Sequence, residues 1–383
     1  MKVAHLTSVH PPYDTRIFHK ECRTLKDAGY EVSLVAQNTC ESEFEGVLFR
    51  GVPQARSRLK RILVTTRQIY SEARSLDANL YHLHDPELLP WGWLLYQQGK
   101  TVVYDMHENV PKSIMAKEWI PVALRRPIAW IIRNFERLLL IGIPVIFAEQ
   151  SYYQDYTWIK SATTVLNMPL HTELLEISKF QSNQKKCKFG YLGRVADVRG
   201  SWVMLEALQI LQGRGYQVGW DCVGGVSTDH VRQLRRYCDW HGLNDVHFHG
   251  FLPARQSWRI IAGCFAGLAV LQPVPNYIES IPTKIFEYMA LGLPVIVSDF
   301  PIYRQVVNMD SCGLVVDSTD PRAVSDAIQW LLDHPVEARK MGERGRKAVC
   351  ERYTWEKEAG KLLLFYDRLT DAKRISTNKT GRE

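Results

Sequence analysis

The chain has no apolar stretch long enough to cross a bilayer as a helix. Its longest run, residues 138–148, is broken by Gly142 and Pro144. It has no Cys-x2-Cys pair and no tight His/Cys cluster. Its 8 cysteines (Cys22, Cys40, Cys187, Cys222, Cys238, Cys264, Cys312, Cys350) are scattered, a pattern expected of reduced, mostly buried thiols rather than of a disulfide frame or a zinc site. The opening MKVAHLTSVHPP lacks a charged leader and a cleavage site, so a secretory signal is not expected and the protein is placed in the cytoplasm. No Gly-x-Gly-x-x-Gly follows the first apolar segment, which weakens a dinucleotide oxidoreductase reading. No Asp-x-Asp occurs, no long repeat is visible, and the basic residues are not interleaved with a nucleic-acid-binding module, so no nucleic-acid partner is expected.

What is present is core material for more than one domain. The 383 residues are 46% hydrophobic and 23% charged, the balance of a folded globular protein, and exceed what one hydrophobic core usually supports. A formal charge of +7 suits an anionic partner without choosing among nucleotide, phospholipid and nucleic acid.

Short β-branched runs alternate with amphipathic stretches from end to end, the signature of βαβ units around parallel sheets. Strands are expected at 2–7, 31–37, 80–84, 101–105, 144–148 and 163–167, then again at 189–193, 218–224, 246–250, 267–271, 294–299 and 313–317. The pattern gives an α/β protein of two doubly wound, Rossmann-like domains. The first spans 1–178, a polar linker 179–188, and the second 189–351; a final helix comes next at 352–370 and a polar tail at 371–383. Ligands of such folds sit at the carboxyl ends of the strands, which predicts a site in the cleft between the domains.

The segment NYIESIPTKIFEYMALGLPVIVSD puts Glu279 and Glu287 eight positions apart around a helix start. Pro282, Thr283 and Lys284 open that helix, Ile285, Phe286, Met289 and Ala290 give it a buried face, and Gly292 ends it. Free amides and the helix dipole attract a phosphate there, while carboxylates pair with vicinal hydroxyls. A diphosphate between two hydroxylated rings, a nucleotide sugar, satisfies both. Taken alone, the two glutamates could equally be solvent-facing residues at a helix start.

Glu279 and Glu287 resemble the E-x7-E element of retaining glycosyltransferases of family 4, which have the GT-B fold. YLGRVADVRGSWVMLEAL resembles that family's G-R-x4-K/R-G segment, which implies diphosphate contacts by Arg194 and Arg199 beside Gly193 and Gly200. VHFHGFLP and RYTWEKEAGKLLLFYDRL resemble the turn before the base-binding region and the closing helices, the last of which usually crosses back to the first domain. YDMHENVP places His107 where the family has a histidine contacting the donor sugar. The resemblance implies a co-substrate that is a nucleoside-diphosphate sugar, no cofactor, and a glycan or lipid-linked acceptor, in surface polysaccharide or glycolipid synthesis.

Two departures stand out. The family's Gly-Gly loop is replaced by HPPYDTRIFHKE, so Asp14, Thr15 and Arg16 are acceptor-side candidates. Within E-x7-E, Ser280, Ile281 and Pro282 stand where Gly-Phe-Gly is common, and Pro282 has no N–H to offer, so the phosphate must be met by the amides of Thr283 and Lys284 and by the Lys284 ammonium. Asp85, at the end of a strand, either caps the next helix or faces the acceptor. With no Asp-x-Asp, catalysis without a metal is expected, the two arginines and the helix start standing in. The basic stretch Arg50–Arg67 and KEWIPVALRRPIAWIIRNFERLLL suit either a peripheral contact with anionic membrane or solvated faces over a core. A nucleotide-sugar epimerase and a catalytically degenerate nucleotide-sugar-binding subunit remain as alternatives.

Overall fold

Lys2–Leu6, with four buried residues in a row, is the pattern of a strand covered on both faces, and in the computed structural model it is the middle of a parallel sheet. The structure describes all residues except 116, 118–119, 180–186 and 381–383, and only the backbone at 171–172, 178–179 and 371–380. Most of the expected linker therefore lies outside the described residues, and the backbone of the expected tail continues the helix Trp355–Thr380.

Two units emerge. The first joins Met1–Asn167 with Trp355–Glu383, and the second is Met168–Thr354. The helix His171–Lys179, placed in the first domain from the sequence, groups with the second.

The first unit's strands are β1 (Lys2–Leu6), β2 (Glu31–Gln37), β3 (Ser42–Phe44), β4 (Val47–Val52), β5 (Leu80–Leu83), β6 (Thr101–Met106), β7 (Val145–Phe147) and β8 (Ala162–Thr164). They form one sheet in the order β3-β4-β2-β1-β5-β6-β7-β8, parallel except for the β3–β4 hairpin. That hairpin is not legible as alternation in the sequence. Glu45 (φ 50°) and Gly46 (φ 76°) are both left-handed, as a two-residue turn matched to strand twist requires.

The second unit's strands are β9 (Lys188–Leu192), β10 (Gly219–Val223), β11 (Val246–Gly250), β12 (Ala266–Ala269), β13 (Val295–Ser298) and β14 (Gly313–Val316), in the order β11-β10-β9-β12-β13-β14, all parallel. Each sheet reverses direction of growth beside its first strand, so the loops after β1 and β9 open at a topological switch point. Five of the cysteines are buried, while Cys40, Cys187 and Cys350 are exposed. No helix among the described residues is long and apolar enough to cross a membrane.

Candidate functional site

In the second unit the chain leaves β9 at Gly193 and enters the helix Ser201–Gly213 through a tight turn, Asp197–Arg199. Gly200 (φ 79°) must be glycine, because a Cβ there would lie 2.0 Å from the Val270 carbonyl oxygen. The turn brings Arg199 over the Tyr277 ring, 5.6 Å from its centre, with Nε donating to the Tyr277 hydroxyl at 3.2 Å. A Cβ on Gly193 would meet Lys284 Nζ at 3.2 Å and Arg199 Nη1 at 3.4 Å, so the two cations converge on that bare stretch of backbone. Arg194 is exposed beside it.

Lys284 is the residue whose environment the sequence hides. It sits in the helix Thr283–Ala290, which Tyr288 fixes against the sheet by accepting from Leu192 N (2.8 Å) and donating to the Leu268 carbonyl (3.2 Å). The Lys284 side chain is buried, its ammonium lies 3.9 Å from the centre of the Tyr191 ring, and it has no hydrogen-bond partner among the described residues. Burial and then the neighbouring Arg199 push its pKa well below the ordinary lysine value, against the pull of Glu287. A buried cation held without a hydrogen bond beside a second cation is poised for an anion. Pro282 precedes the helix without a side-chain cap, leaving the Thr283 and Lys284 amides at its start.

Glu287 is half-buried and accepts from Trp258 Nε1 at 3.1 Å, which fixes one of its oxygens. Glu279 is exposed at the end of the turn Pro275–Ile278, with Ile281 half-buried next to it. Thus Gly193, Arg199, Lys284 and the helix start are drawn together, while Arg194 and Glu279 stand at solvent. Tyr191 and Tyr277 complete the cradle and were not singled out from the sequence; the only signal was an aromatic beside each motif.

The first unit holds a second polar cluster at the ends of β1, β5 and β6. His107, just past the end of β6, has its Nε2 2.7 Å from Oδ2 of Asp105, two residues back on that strand. Arg16 grips Asp105 through Nε (2.9 Å) and Nη2 (2.8 Å), donates Nη1 to the Val165 carbonyl (2.9 Å), and is itself buried. Despite burial, Arg16 and then His107 hold the Asp105 carboxyl well below its ordinary pKa. A fixed carboxylate at 2.7 Å orients the His107 ring and favours a proton on its Nε2.

The acceptor-side candidates separate here. Arg16 is not available to an acceptor, because it is buried with Nε and Nη2 turned to Asp105 and Nη1 to the Val165 carbonyl. Asp85 is likewise buried: its Oδ2 accepts from Thr7 Oγ1 (2.8 Å), Ser8 N (2.6 Å) and Val9 N (3.1 Å), and it makes no side-chain cap to the helical turn after it. It pins the loop after β1. Asp14 accepts from Arg16 N (2.8 Å) and Ile17 N (3.0 Å), starting the helix beyond them. Only Thr15 of this group is exposed.

Beneath His107 lie three buried imidazoles. His5 pairs with His82 across the β1–β5 register, His84 stacks on His82, and Glu21 closes over them. Burial lowers the pKa of all three histidines, while burial and the Asp105 charge raise that of Glu21. Ligand-type atoms of His5, Glu21, His82 and His84 lie within 4.8 Å of one another, as do those of His84, Asp105 and His107. These are the only such groups among the described residues, and neither belongs to the second unit.

Two parallel-sheet α/β units, with a cation cradle at the switch point of one and an oriented histidine at that of the other, define the GT-B class of glycosyltransferase fold. Residues 15–156 match the family model for Glycosyltransferase Family 4, and residues 174–348 match that for Glycosyl transferases group 1. The chain belongs to the family 4 glycosyltransferases.

Among curated relatives, it is 24% identical to phosphatidyl-myo-inositol mannosyltransferase of Mycobacterium leprae, over 82% of this chain and 77% of that one. It is 28% identical to MMP alpha-(1->4)-mannosyltransferase of Mycolicibacterium hassiacum, over 25% of this chain and only 23% of that one. The match to D-inositol 3-phosphate glycosyltransferase of Xylanimonas cellulosilytica, at 29% identity, spans 47% of this chain and 42% of that one.

Among solved structures, sucrose-phosphate synthase of Thermosynechococcus elongatus aligns with a TM-score of 0.74 at 19% identity, over 97% of this chain and 99% of that one. HepE of Anabaena, solved with UDP and glucose, aligns with a TM-score of 0.72 at 14% identity, over 96% of this chain and 100% of that one. At such identities the likeness concerns the fold.

Proposed function

We propose that this protein is a retaining glycosyltransferase that moves a sugar from a nucleoside-diphosphate sugar to a glycan or lipid-linked acceptor, in surface polysaccharide or glycolipid synthesis. The observation that carries the reading is the Lys284 ammonium, buried beside Arg199 and Gly193 at a helix start without a hydrogen-bond partner among the described residues. Breaking a sugar–diphosphate bond leaves negative charge on the departing phosphate, and preorganised cations in a dry site are the strongest stabilisers of that charge. Arg194, Arg199, Lys284 and the Thr283 amide are assigned to the diphosphate, Glu287 to the ribose hydroxyls, and Glu279 and His107 to the sugar. The names of the relatives support the acceptor class: one acts on phosphatidyl-myo-inositol and another on inositol 3-phosphate.

Catalysis is proposed to need no metal, because this cradle supplies positive charge from the chain itself. We place the enzyme in the cytoplasm at the inner face of the cytoplasmic membrane. The test is a thermal-shift screen of the purified protein against UDP, GDP, dTDP, ADP and CMP with EDTA throughout. Stabilisation by one nucleoside diphosphate, lost in Arg199→Ala and Glu287→Ala, is expected. Absence of any shift with EDTA, restored by manganese, would show that the cradle does not act without a metal.

A further inference from the structure

The first unit carries a pocket of about 390 Å³ that none of the assignments above uses. It opens among the loop after β1, the end of β2 and the segment after β4, which is the strand-end edge where α/β sheets take ligands. Its rim is basic: Arg56, Arg58 and Arg61 line it with His10 and Gln54, and no carboxylate does. Arg61 is forked onto Glu87 (2.8 and 3.1 Å), which fixes one wall, whereas Arg56 and Arg58 are exposed.

The pocket is preformed. Gln37 clamps both sides of it, donating from Nε2 to the Ser8 carbonyl and accepting from Ala55 N at 2.6 Å. His10 stands at its lip. Against the effect of burial, hydrogen bonding to Asp14 and the charge of Asp85 raise the pKa of His10.

The helical turns beyond the arginines are apolar and uncovered. Leu59, Ile62, Leu63 and Val64 are all exposed there, Leu59 and Leu63 by more than 60%. Arginines suit phosphate oxygens through their forked donors, and exposed leucine and isoleucine beside them suit an alkyl chain. A plain glycan matches neither half of this surface.

We propose that this pocket binds the acceptor, and that the acceptor is an amphiphile whose phosphate sits on Arg56 and Arg58 while its hydrocarbon lies over Leu59, Ile62 and Leu63. The inference rests on the glycosyltransferase reading and narrows its acceptor to a phosphate-bearing lipid. A bilayer phospholipid and an acceptor lipid share this chemistry, and the pocket commits to one monomeric molecule rather than to a charged surface.

The test is calorimetric titration of the full chain with decyl phosphate below its micelle concentration, with inorganic phosphate and neutral decyl glucoside alongside. Decyl phosphate is expected to bind at least about tenfold tighter than either, and to weaken several-fold between low and physiological salt. Arg56→Ala with Arg58→Ala should remove at least about tenfold of that affinity. Ile62→Ser with Leu63→Ser should remove the preference for decyl phosphate over inorganic phosphate.

Equal binding of decyl glucoside, or unchanged binding in the double arginine variant, overturns the proposal. A parallel titration with UDP and GDP separates it from the reading it rests on. Nucleotide binding without decyl phosphate binding overturns the acceptor inference alone, and loss of both overturns the two together.

Discussion

Burial and the neighbouring Arg199 both disfavour a charge on Lys284, and that conflict has a measurable signature. Replacing it by methionine keeps the aliphatic volume and removes the buried cation. Lys284→Met is therefore expected to raise the melting temperature of the free protein while weakening nucleoside-diphosphate binding by about 10- to 100-fold, the worth of a charged hydrogen bond. A variant that loses both stability and binding would make Lys284 a structural residue. Glu136 offers a second test at this scale. It accepts from the Tyr156 hydroxyl at 2.9 Å in a buried position, and burial raises its pKa to about 7. A carboxyl raised in the folded state stabilises fully below its ordinary value of 4.5, and that contribution is lost as pH rises through about 7. Glu136→Gln should therefore gain on the parent by up to about 3 kcal/mol between about pH 5 and pH 8 in denaturant titrations. At the residue scale the sequence showed which side chains were chemically apt, but not which were already spent. Arg16 and Asp85 have the right chemistry at the right strand ends, yet their partners Asp105 and Ser8 lie more than 70 positions away, and only the folded register brings them together.

Among the elements, strands buried on both faces announced themselves as unbroken β-branched runs. All six strands expected in each half are present, within two or three residues at their ends. β4 was missed because Arg50 and Gly51 interrupt its apolar pattern at the sheet's margin, and β3 is a three-residue exposed strand with almost nothing to read. The helix Thr283–Ala290 was legible in its face and its stop, but the burial of Lys284 within it was not, since a lysine ordinarily points to water. The helix Val122–Leu139 is a different case. Val122, Leu124, Trp130, Ile131, Phe135 and Leu138 are all exposed on it, alongside Arg126, Arg133 and Arg137, and its one acid, Glu136, is buried. An apolar face of this size rimmed by arginine is costly in water and fits the headgroup layer of an anionic bilayer. In flotation assays the protein should rise with liposomes rich in anionic lipid at low salt. Trp130→Ser with Ile131→Ser should cut the bound fraction several-fold. Protein that stays behind at low salt would make this face an ordinary surface.

At the scale of the whole molecule, the first unit is built from two separated stretches of chain. Trp355 Nε1 donates to Thr24 Oγ1 (2.9 Å), Leu166 N donates to Glu358 (2.9 Å), and the Tyr366 hydroxyl lies 2.7 Å from His82 Nδ1 in the histidine cluster. Removing everything after Thr354 takes away the buried Leu362, Phe365 and Tyr366 and exposes the core they cover, and should therefore destabilise the first unit by several kcal/mol. The second unit, continuous from Met168 to Thr354, should keep its cooperative unfolding, and two-transition calorimetry would separate them. The same arrangement sets an order of events during synthesis. As the ribosome extends the chain, the second unit can close as soon as its own residues have emerged, whereas the first, begun earlier, must wait with its histidine cluster uncapped until the final helix arrives. The part translated first is thus the part finished last, and a stalled or shortened message would release a protein with a complete cation cradle on an unfinished partner.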